Sequence, residues 1–446
     1  MLHFDKLSLN VPATRKPRVV IIGGGFGGMN LAKKLRHSDV QVVLFDKQNY
    51  NGFWPLLYQV ATAGLEPDSI AEPFRKMFDG QKDFHYRMVR VDTVNPAAQT
   101  VHTLIGELHY DYLVVATGSK SNFFGNENIE KFSLPLKTIP EALDIRSQFL
   151  QCFEQASLTI DPHVRQSLLN FVIAGAGPTG VEMSGALAEM REHVLPNDYP
   201  GLDFRQMNIY LVEGADKVLP PFSDKGGQVA KRDLEKKGVI IKLNTLVQDY
   251  DGETVTFQGG EQIEAHTLIW AAGVTGAIPE GIPNEMTERG RILVDPINQI
   301  IGLPGVFAIG DIAVMKTEKW PKGHPGVAQP AIQQGDHMAK NIHRMLKNEP
   351  TKPFEYFDKG SLAIIGRGQA VADLPGNIHL GGFFAWLAWI FVHITYLVGF
   401  RSKLVVFSNW IYRLFTYQSG TRIIIRPFIR KDNEVAKKTA LKNEVA

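Results

Sequence analysis

The sequence predicts an α/β protein built around two parallel sheets. Two segments repeat one order of elements: an apolar strand, a glycine-rich loop, a helix and, further on, a second strand that ends in an acid. The first begins at Arg18 and the second at Leu168. Short β-branched apolar runs are typical of buried parallel strands. An aromatic-rich segment near the C terminus predicts a separate helical region.

Composition sets the class of protein before any motif does. The chain has 446 residues, 44% of them hydrophobic and 21% charged, which is ordinary for a globular protein. The single cysteine, Cys152, excludes a disulfide framework, a cysteine-ligated metal or iron–sulfur site and a CxxC redox pair, and no metal site is predicted. We expect Cys152 to be a small buried hydrophobe.

Charge is distributed unevenly along the chain. Residues 401–446 hold ten Lys and Arg against three Asp and Glu, whereas residues 1–400 hold 38 against 43. A basic tail on an acidic body suits a membrane surface or a nucleic acid. The polar segment up to Pro17 carries no pattern of a secretion or import signal.

The first glycine loop predicts a dinucleotide site. Its spacing fits GxGxxG, in which the glycines permit a tight turn and a close approach to a pyrophosphate at a helix N terminus. An acid about 20 residues downstream, at the end of the strand over 40–45, can bind a ribose hydroxyl. The predicted binding residues here are Gly23, Gly25, Phe26, Gly27, Gly28, Asp46 and Lys47.

The second glycine loop predicts a second dinucleotide. Here the acid at the end of the following strand is Glu213, and the nearest downstream cation is Lys217. An acid at this place favours the free 2′-hydroxyl of NADH over the phosphate of NADPH. The predicted binding residues are Gly175, Gly177, Pro178, Thr179, Gly180, Glu182 and Glu213.

Two further strand ends give the first loop a more specific meaning. The strands over 112–118 and 306–311 end in Ala-Thr-Gly and Gly-Asp. With the first loop they resemble the flavin signature of flavoproteins that have two dinucleotide domains. The resemblance implies non-covalent FAD held by Ala116, Thr117, Gly118, Gly310 and Asp311, with Ala272 and Gly273 as the matching strand end on the NADH side.

The same resemblance implies an order of domains, in which an FAD domain is split by an NADH domain. Both domains are Rossmann-like, and a C-terminal membrane-attachment helical region follows them. The predicted ranges are 1–150 and 276–370 for FAD, 151–275 for NADH and 371–446 for the amphipathic anchor with its basic tail.

The segment 328–335, Ala-Gln-Pro-Ala-Ile-Gln-Gln-Gly, resembles an element of the type II NADH:quinone oxidoreductases. The resemblance implies that Ala328, Gln329 and Gln333 lie beside the flavin, with the two glutamines at the quinone site. It also implies a quinone-side role for Lys359 and places Glu182 near the nicotinamide. From the residues alone, the glutamines could instead bind backbone, Lys359 could be solvated, and Glu182 could be a helix-dipole acid.

The C-terminal region predicts membrane attachment. Twelve aromatic residues lie between Phe383 and Tyr417, and residues 382–400 contain no Asp, Glu, Lys or Arg. Because aromatic residues are spread along this stretch, we expect two helices in the membrane interface rather than one span. Arg422, Arg426 and Arg430 then suit anionic headgroups. An apolar helix in a dimer interface is the alternative.

Together these patterns predict a flavoenzyme that passes two electrons from NADH through FAD to a membrane quinone without proton pumping, feeding a respiratory chain. We expect a homodimer, peripheral on the inner (cytoplasmic) membrane and facing the cytoplasm, with membrane lipid and quinone as partners and no nucleic acid. The alternative is a soluble NADH-dependent flavoprotein reductase with another acceptor, in which the tail serves dimerisation. A flavin-bound redox sensor is a third possibility.

Overall fold

The computed structural model describes residues 6–416 and 421–430. The internal contacts of the chain divide it into two compact units. Unit 1 comprises the ranges up to Gly52, Ala71–Lys120 and Val274–Lys359. Unit 2 comprises Phe53–Ile70, Ser121–Gly273 and the chain from Gly360 onward.

The strands are, in chain order, β1 (Arg18–Ile22), β2 (Gln41–Asp46), β3 (Tyr50–Gly52), β4 (Ala71–Pro73), β5 (Phe84–Met88), β6 (Val91–Asn95), β7 (Thr100–Thr103), β8 (Gly106–His109), β9 (Tyr112–Val115), β10 (Ser119–Ser121), β11 (Leu134–Pro135), β12 (Asn170–Ala174), β13 (Asn208–Val212), β14 (Val239–Lys242), β15 (Val247–Tyr250), β16 (Thr254–Phe257), β17 (Gln262–Glu264), β18 (Thr267–Trp270), β19 (Val274–Gly276), β20 (Thr287–Glu288), β21 (Arg291–Val294), β22 (Val306–Ala308), β23 (Ala313–Met315), β24 (Ser361–Gly366), β25 (Gln369–Leu374) and β26 (Ile378–Gly381). The helices are α1 (Phe26–Lys34), α2 (Leu57–Ala61), α3 (Phe74–Met77), α4 (Glu127–Phe132), α5 (Ile139–Leu158), α6 (Pro162–Leu168), α7 (Pro178–His193), α8 (Leu195–Asp198), α9 (Asp224–Lys236), α10 (Ala328–Leu346), α11 (Gly382–Tyr396) and α12 (Phe400–Thr416).

Unit 1 is organised by a parallel sheet in the order β22-β9-β1-β2-β5. The central strand β1 is buried from Val19 to Ile22, as its unbroken apolar run predicts. Val20 pairs with Val43 on one side and with Leu113 on the other. The antiparallel sheet β6-β7-β8 adds side chains to the same core. The carboxyl ends of β1, β2 and β9 therefore lie along one edge of the sheet.

Unit 2 repeats this plan with the order β11-β18-β12-β13-β14, again all parallel. The central strand β12 is fully buried. The antiparallel sheet β15-β16-β17 packs its apolar side chains with those of β12 and β18 in one core. The loop after β12 leads into α7, which continues to His193.

The C-terminal part of unit 2 contains the antiparallel sheet β24-β25-β26 and then α11 and α12. Helix α11 buries Ala385, Trp386 and Trp389, and exposes apolar side chains elsewhere. Among the described residues, no helix has both the length and the hydropathy that a membrane crossing requires.

The predicted α/β fold with its two parallel sheets is confirmed, and so are the helices over the two C-terminal apolar stretches. The segments 53–70 and 121–150 group with unit 2, whereas the predicted FAD range runs to residue 150. The assignment of ranges to FAD and NADH stays a prediction. Tyr417 and the basic residues beyond 430 lie outside the described residues.

Candidate cofactor and substrate sites

The first glycine loop in unit 1 is shaped by close contacts at two of its glycines. Gly23 has φ +102°, and a Cβ there would overlap the carbonyl oxygen of Ala116. A Cβ on Gly28 would overlap the carbonyl oxygen of Gly23. Gly25 differs, because a Cβ there would have no protein atom within 4 Å. The loop thus has internal reasons for Gly23 and Gly28, and open space at Gly25 where a pyrophosphate can approach.

Asp46, at the end of β2, is tied to this loop. Its carboxylate accepts hydrogen bonds from the backbone N–H groups of Gly24 (2.6 Å) and Gln48 (2.7 Å). Burial raises the pKa of Asp46, and the same N–H bonds act against that rise by stabilising the anion. An ionised carboxylate has about four acceptor positions. Asp46 can therefore fix the loop and still bind ribose hydroxyls.

The ends of β9 and β22 bring polar groups to the same unit. Gly118 has φ +67°, and the hydroxyl of Ser119 donates to Asp311 at 2.8 Å. The Thr117 hydroxyl is buried and has no hydrogen-bond partner among the residues that the structure describes. Buried hydroxyls are nearly always paired, so this one suits a ligand. The open glycine and the unpaired Thr117 hydroxyl fit a bound dinucleotide cofactor such as FAD.

The second glycine loop reproduces the first in unit 2. Gly175 has φ +99°, and a Cβ there would lie 2.6 Å from the Ala271 carbonyl oxygen. A Cβ on Gly180 would overlap the Gly175 carbonyl, whereas one on Gly177 would meet nothing within 4 Å. Gly177 is therefore the open position here, as Gly25 is in unit 1.

Glu213 follows β13 and plays the part that Asp46 plays in unit 1. Its carboxylate accepts from Ala176 N–H at 2.7 Å and from Ala215 N–H at 2.9 Å. The ammonium of Lys217 instead binds Asp224 at 2.8 Å and the Phe222 carbonyl at 3.0 Å. The nearest downstream cation is thus committed to other groups, which fits a ribose hydroxyl better than a phosphate beside Glu213.

Helix α10 in unit 1 carries the glutamine motif. Both amide atoms of Gln333 bind the backbone of Phe357, at 2.9 and 3.0 Å. The side-chain amide oxygen of Gln329 accepts a hydrogen bond from the backbone N–H of Lys359 at 3.1 Å. The alternative use of these glutamines, binding backbone, is therefore present in the structure. Their role toward quinone stays a prediction, as does that of Lys359.

The same helix contains two functional positions that the sequence analysis missed. Gln334 is buried, and its side-chain oxygen accepts the Gly310 N–H at 2.7 Å, which fixes the turn before Asp311. Gly335 allows α10 to approach α1, because a Cβ there would lie 2.5 Å from the Gly27 carbonyl oxygen. The second glutamine of the Gln-Gln pair was the available sequence signal for the role of Gln334 in fixing the Gly310 turn.

A large pocket lies within unit 2, where α2 and α7 meet β24, α11 and α12. The space free of protein atoms amounts to about 840 Å³, part of which is open to solvent. Its lining residues, which come from five elements far apart in sequence and from their flanks, are Tyr58, Gln59, Thr62, Glu182, Ala186, Glu189, Met190, Val194, Ile364, Ile365, Gly366, Arg367, Trp386, Trp389, Ile390, Trp410, Arg413 and Leu414. The wall is largely aromatic and aliphatic with a few polar groups, as in small-molecule sites.

Glu182 is a buried acid in the wall of this pocket. It is buried on α7, and one oxygen accepts the Ile364 N–H at 3.5 Å. Burial raises the pKa of Glu182 to about 8, which the Ile364 N–H only partly opposes. The carboxyl group is therefore mostly protonated at neutral pH. Glu189, two helical turns after Glu182 on α7, instead forms an ion pair with the Lys237 ammonium at 3.2 Å.

The pocket wall contributed by α2, α11 and α12 was not predicted as part of a site. The Trp410 indole donates to Gln59 at 2.8 Å, and Gln59 donates to the Tyr58 hydroxyl at 2.7 Å. His393 stacks on Trp389 with ring centres 3.9 Å apart, and burial lowers its pKa to about 4. His393 is thus a neutral packing residue behind the pocket wall.

The arginines after α12 have partners within unit 2. Arg422 binds Asp198 at 2.5 Å and Arg426 binds Asp144 at 2.8 Å. Arg430 donates to the His266 carbonyl oxygen at 2.8 Å. These guanidinium groups bind the protein itself, while the Arg426 side chain stays 69% exposed. Their role toward anionic headgroups stays a prediction.

Comparison with known proteins decides the family. A family model for pyridine nucleotide-disulphide oxidoreductases matches residues 17–335, and one for the NDH2 C-terminal domain matches residues 359–417. The type II NADH:quinone oxidoreductase Ndh of Mycobacterium tuberculosis is 39% identical over 412 residues, covering 89% of this chain and 88% of the relative. The chain belongs to the type II NADH:quinone oxidoreductase family.

Other relatives of this type II NADH:quinone oxidoreductase agree. The external alternative NADH-ubiquinone oxidoreductase of Yarrowia lipolytica is 28% identical, over 89% of this chain and 79% of that one. The structure of NDH2 from Plasmodium falciparum in complex with NADH has a TM-score of 0.83 at 22% identity, covering 92% of this chain and 100% of that chain. The predicted family and fold are thereby confirmed.

Proposed function

We propose that this type II NADH:quinone oxidoreductase moves two electrons from NADH through non-covalent FAD to a membrane quinone, without pumping protons. It would thereby feed electrons into a respiratory chain. The observation that carries this proposal is the family match along nearly the whole chain. The geometry of the two glycine loops and of the unit 2 pocket supports it.

FAD, when bound, supplies a two-electron carrier between NADH and quinone. In unit 1, Asp46 would bind the ribose, and the open space at Gly25 would admit the pyrophosphate. Thr117 and Asp311 would hold the remaining polar groups, since the Thr117 hydroxyl has no partner among the described residues. Gln334 holds the Gly310 turn in place through its buried hydrogen bond.

NADH would bind to the second glycine loop in unit 2. Glu213 would accept the ribose hydroxyls while its bonds to Ala176 and Ala215 keep the loop in position. The open space at Gly177 and the N terminus of α7 suit the pyrophosphate. A phosphate at the 2′ position would meet the Glu213 carboxylate, so NADPH should be a poor substrate.

The pocket of unit 2 suits a quinone because its wall is largely aromatic and aliphatic and includes the protonated acid Glu182, besides Glu189, Arg367 and Arg413. Reduction of a quinone to a quinol requires two protons. Glu182 keeps a proton at neutral pH, since burial raises its pKa to about 8, and it can donate that proton to a nearby oxygen. Independently of this pocket, the family resemblance implies Gln329, Gln333 and Lys359 of unit 1 as quinone-site residues.

Helices α11 and α12 support peripheral membrane attachment, and the proposal places it on the cytoplasmic face of the inner membrane. Their exposed apolar side chains are Phe383, Phe384, Leu387 and Phe391 on α11 and Phe400, Leu404, Phe407, Ile411, Tyr412 and Phe415 on α12. An exposed apolar surface of this kind is typical of interfacial helices. The same surface could join two subunits, so a homodimer remains part of the proposal.

The test is NADH oxidation by the detergent-solubilised full-length protein with a short-chain quinone. NADPH and a quinone-free reaction serve as controls. We expect fast turnover that requires quinone and strongly prefers NADH. Reduction of the flavin by NADH without transfer to quinone would contradict the proposal and would favour a different acceptor. Flotation with phospholipid vesicles tests membrane attachment separately.

A further inference from the structure

Phe124 in unit 2 has two unusual properties at once. Its side chain is 68% exposed, and its backbone has φ +53°, in the left-handed region that bulky residues avoid. Surrounding bonds hold this conformation. The Asn122 side chain accepts the Phe124 N–H at 2.9 Å, and the Asn122 carbonyl oxygen accepts the Trp270 indole N–H at 2.8 Å. Strained residues that the structure holds this firmly are concentrated at ligand sites.

The ring of Phe124 lies against the end of β18. A Cβ on Gly273 would be only 2.9 Å from the tip of the Phe124 ring, and Gly273 has φ +136°. Gly273 therefore leaves room for the ring. The carbonyl oxygen of Ala271, two residues earlier, borders Gly175 of the second glycine loop. The exposed ring and the dinucleotide loop thus both border the strand end formed by residues 271–273.

Sheet order indicates which half of a dinucleotide reaches this ring. β12 has β13 on one side and β18 on the other, so the chain order reverses there. Ligands of parallel sheets bind across such a reversal. With Glu213 at the adenosine ribose on the β13 side, as in the proposed function, the other half of NADH would extend toward β18 and Gly273.

We propose that Phe124 is the side chain against which the nicotinamide half of NADH packs. The proposal rests on the proposed function, because it needs NADH on the second glycine loop. The nicotinamide is a flat ring, and aromatic rings pack favourably on one another in stacked or edge-to-face arrangements. Covering the exposed Phe124 ring would also remove apolar surface from water. The strained backbone keeps the ring at the strand end before NADH arrives.

The test is Phe124→Asn in the full-length holoenzyme, because asparagine tolerates the left-handed backbone but has no ring. We expect kcat/KM for NADH to fall about tenfold, which corresponds to the roughly 1.4 kcal/mol of one aromatic pair. The KM for quinone should stay within about twofold, and the melting temperature should stay the same or rise. Phe124→Tyr should recover most of the loss.

Leu104→Asn is the matched control, because Leu104 is an equally exposed apolar residue (68%) in unit 1. It should leave the kinetics with NADH unchanged. The proposal is overturned if Phe124→Asn keeps kcat/KM for NADH within twofold, or if its melting temperature falls in step with activity. Titration with NAD⁺ measures nucleotide binding directly. Failure of the wild type to reduce quinone would contradict the proposed function, while the titration would still test Phe124.

Discussion

Replacing Glu182 with glutamine should change stability in a way that depends on pH. Burial raises the pKa of Glu182 to about 8 in the folded protein, against about 4.3 for an unfolded glutamate. Between these values the folded state holds more protons than the unfolded state, so the free energy of unfolding falls as pH rises and levels off above pH 8. At 1.36 kcal/mol for each pH unit, the loss amounts to about 5 kcal/mol.

Glutamine has no proton to lose, so Glu182→Gln should avoid this loss. Relative to the wild type, its melting temperature should be little changed at pH 5 and higher by about 10 °C at pH 9, taking ~2 °C per kcal/mol for a unit of this size. Thermal unfolding of the detergent-solubilised, flavin-loaded protein at pH 5, 7 and 9 measures this. The Ile364 N–H keeps an acceptor in the glutamine side chain.

Glu189→Gln provides the control, because Glu189 lines the same pocket but is paired with Lys237. Breaking that pair should lower the melting temperature at both pH 7 and pH 9. If Glu182→Gln gave the same change at pH 5 as at pH 9, Glu182 would not be an acid held protonated by burial, and the proton-donor role proposed for it would lose its basis.

Three further predictions follow from the sites. Gly177→Ala should keep the wild-type melting temperature but weaken NADH binding, because a Cβ there points into open space. Gly180→Ala should instead fold poorly, because its Cβ would overlap the Gly175 carbonyl. Equal stability of the two variants would contradict this. Glu213→Ala should raise the KM for NADH about tenfold by removing a charge-assisted hydrogen bond. The flavin absorbance per protein should stay unchanged. Loss of flavin would show that Glu213 does not act at the NADH site alone. Arg422→Ala should lower the melting temperature by a few degrees in calorimetry, because it leaves the partly buried Asp198 unpaired. An unchanged melting temperature would mean that this ion pair contributes no stability.

The sheets and the dinucleotide loops could be predicted because their signals are local. The apolar run of β1 needs no distant partner to be recognised, and Gly23 and Gly28 are required by contacts with residues close in sequence or at an adjacent strand end. Asp46 and Glu213 were found because a parallel strand that ends in an acid places it beside the preceding loop. Their bonds to the loop N–H groups explain why the pattern is so regular.

The pocket could not be predicted because its walls meet only in the folded chain. Tyr58, Glu182 and Trp389 come from helices more than 100 residues apart, and no sequence period connects them. The raised pKa of Glu182 is likewise a product of burial by those walls. For the same reason the ion pair of Arg422 with Asp198 could not be predicted, since the two residues lie 224 positions apart in the sequence.

The binding of the post-anchor arginines to the protein has a practical consequence for handling this enzyme. Arg422 and Arg426 pair with Asp198 and Asp144, and the described part of this segment also turns Ile423 and Ile425 outward, which are 58% and 66% exposed. In the proposed membrane attachment, these isoleucines and the exposed apolar side chains of α11 and α12 would contribute apolar contact, which salt does not screen. A high-salt wash of membranes should therefore leave the protein in the pellet, and a mild detergent should be needed to extract it.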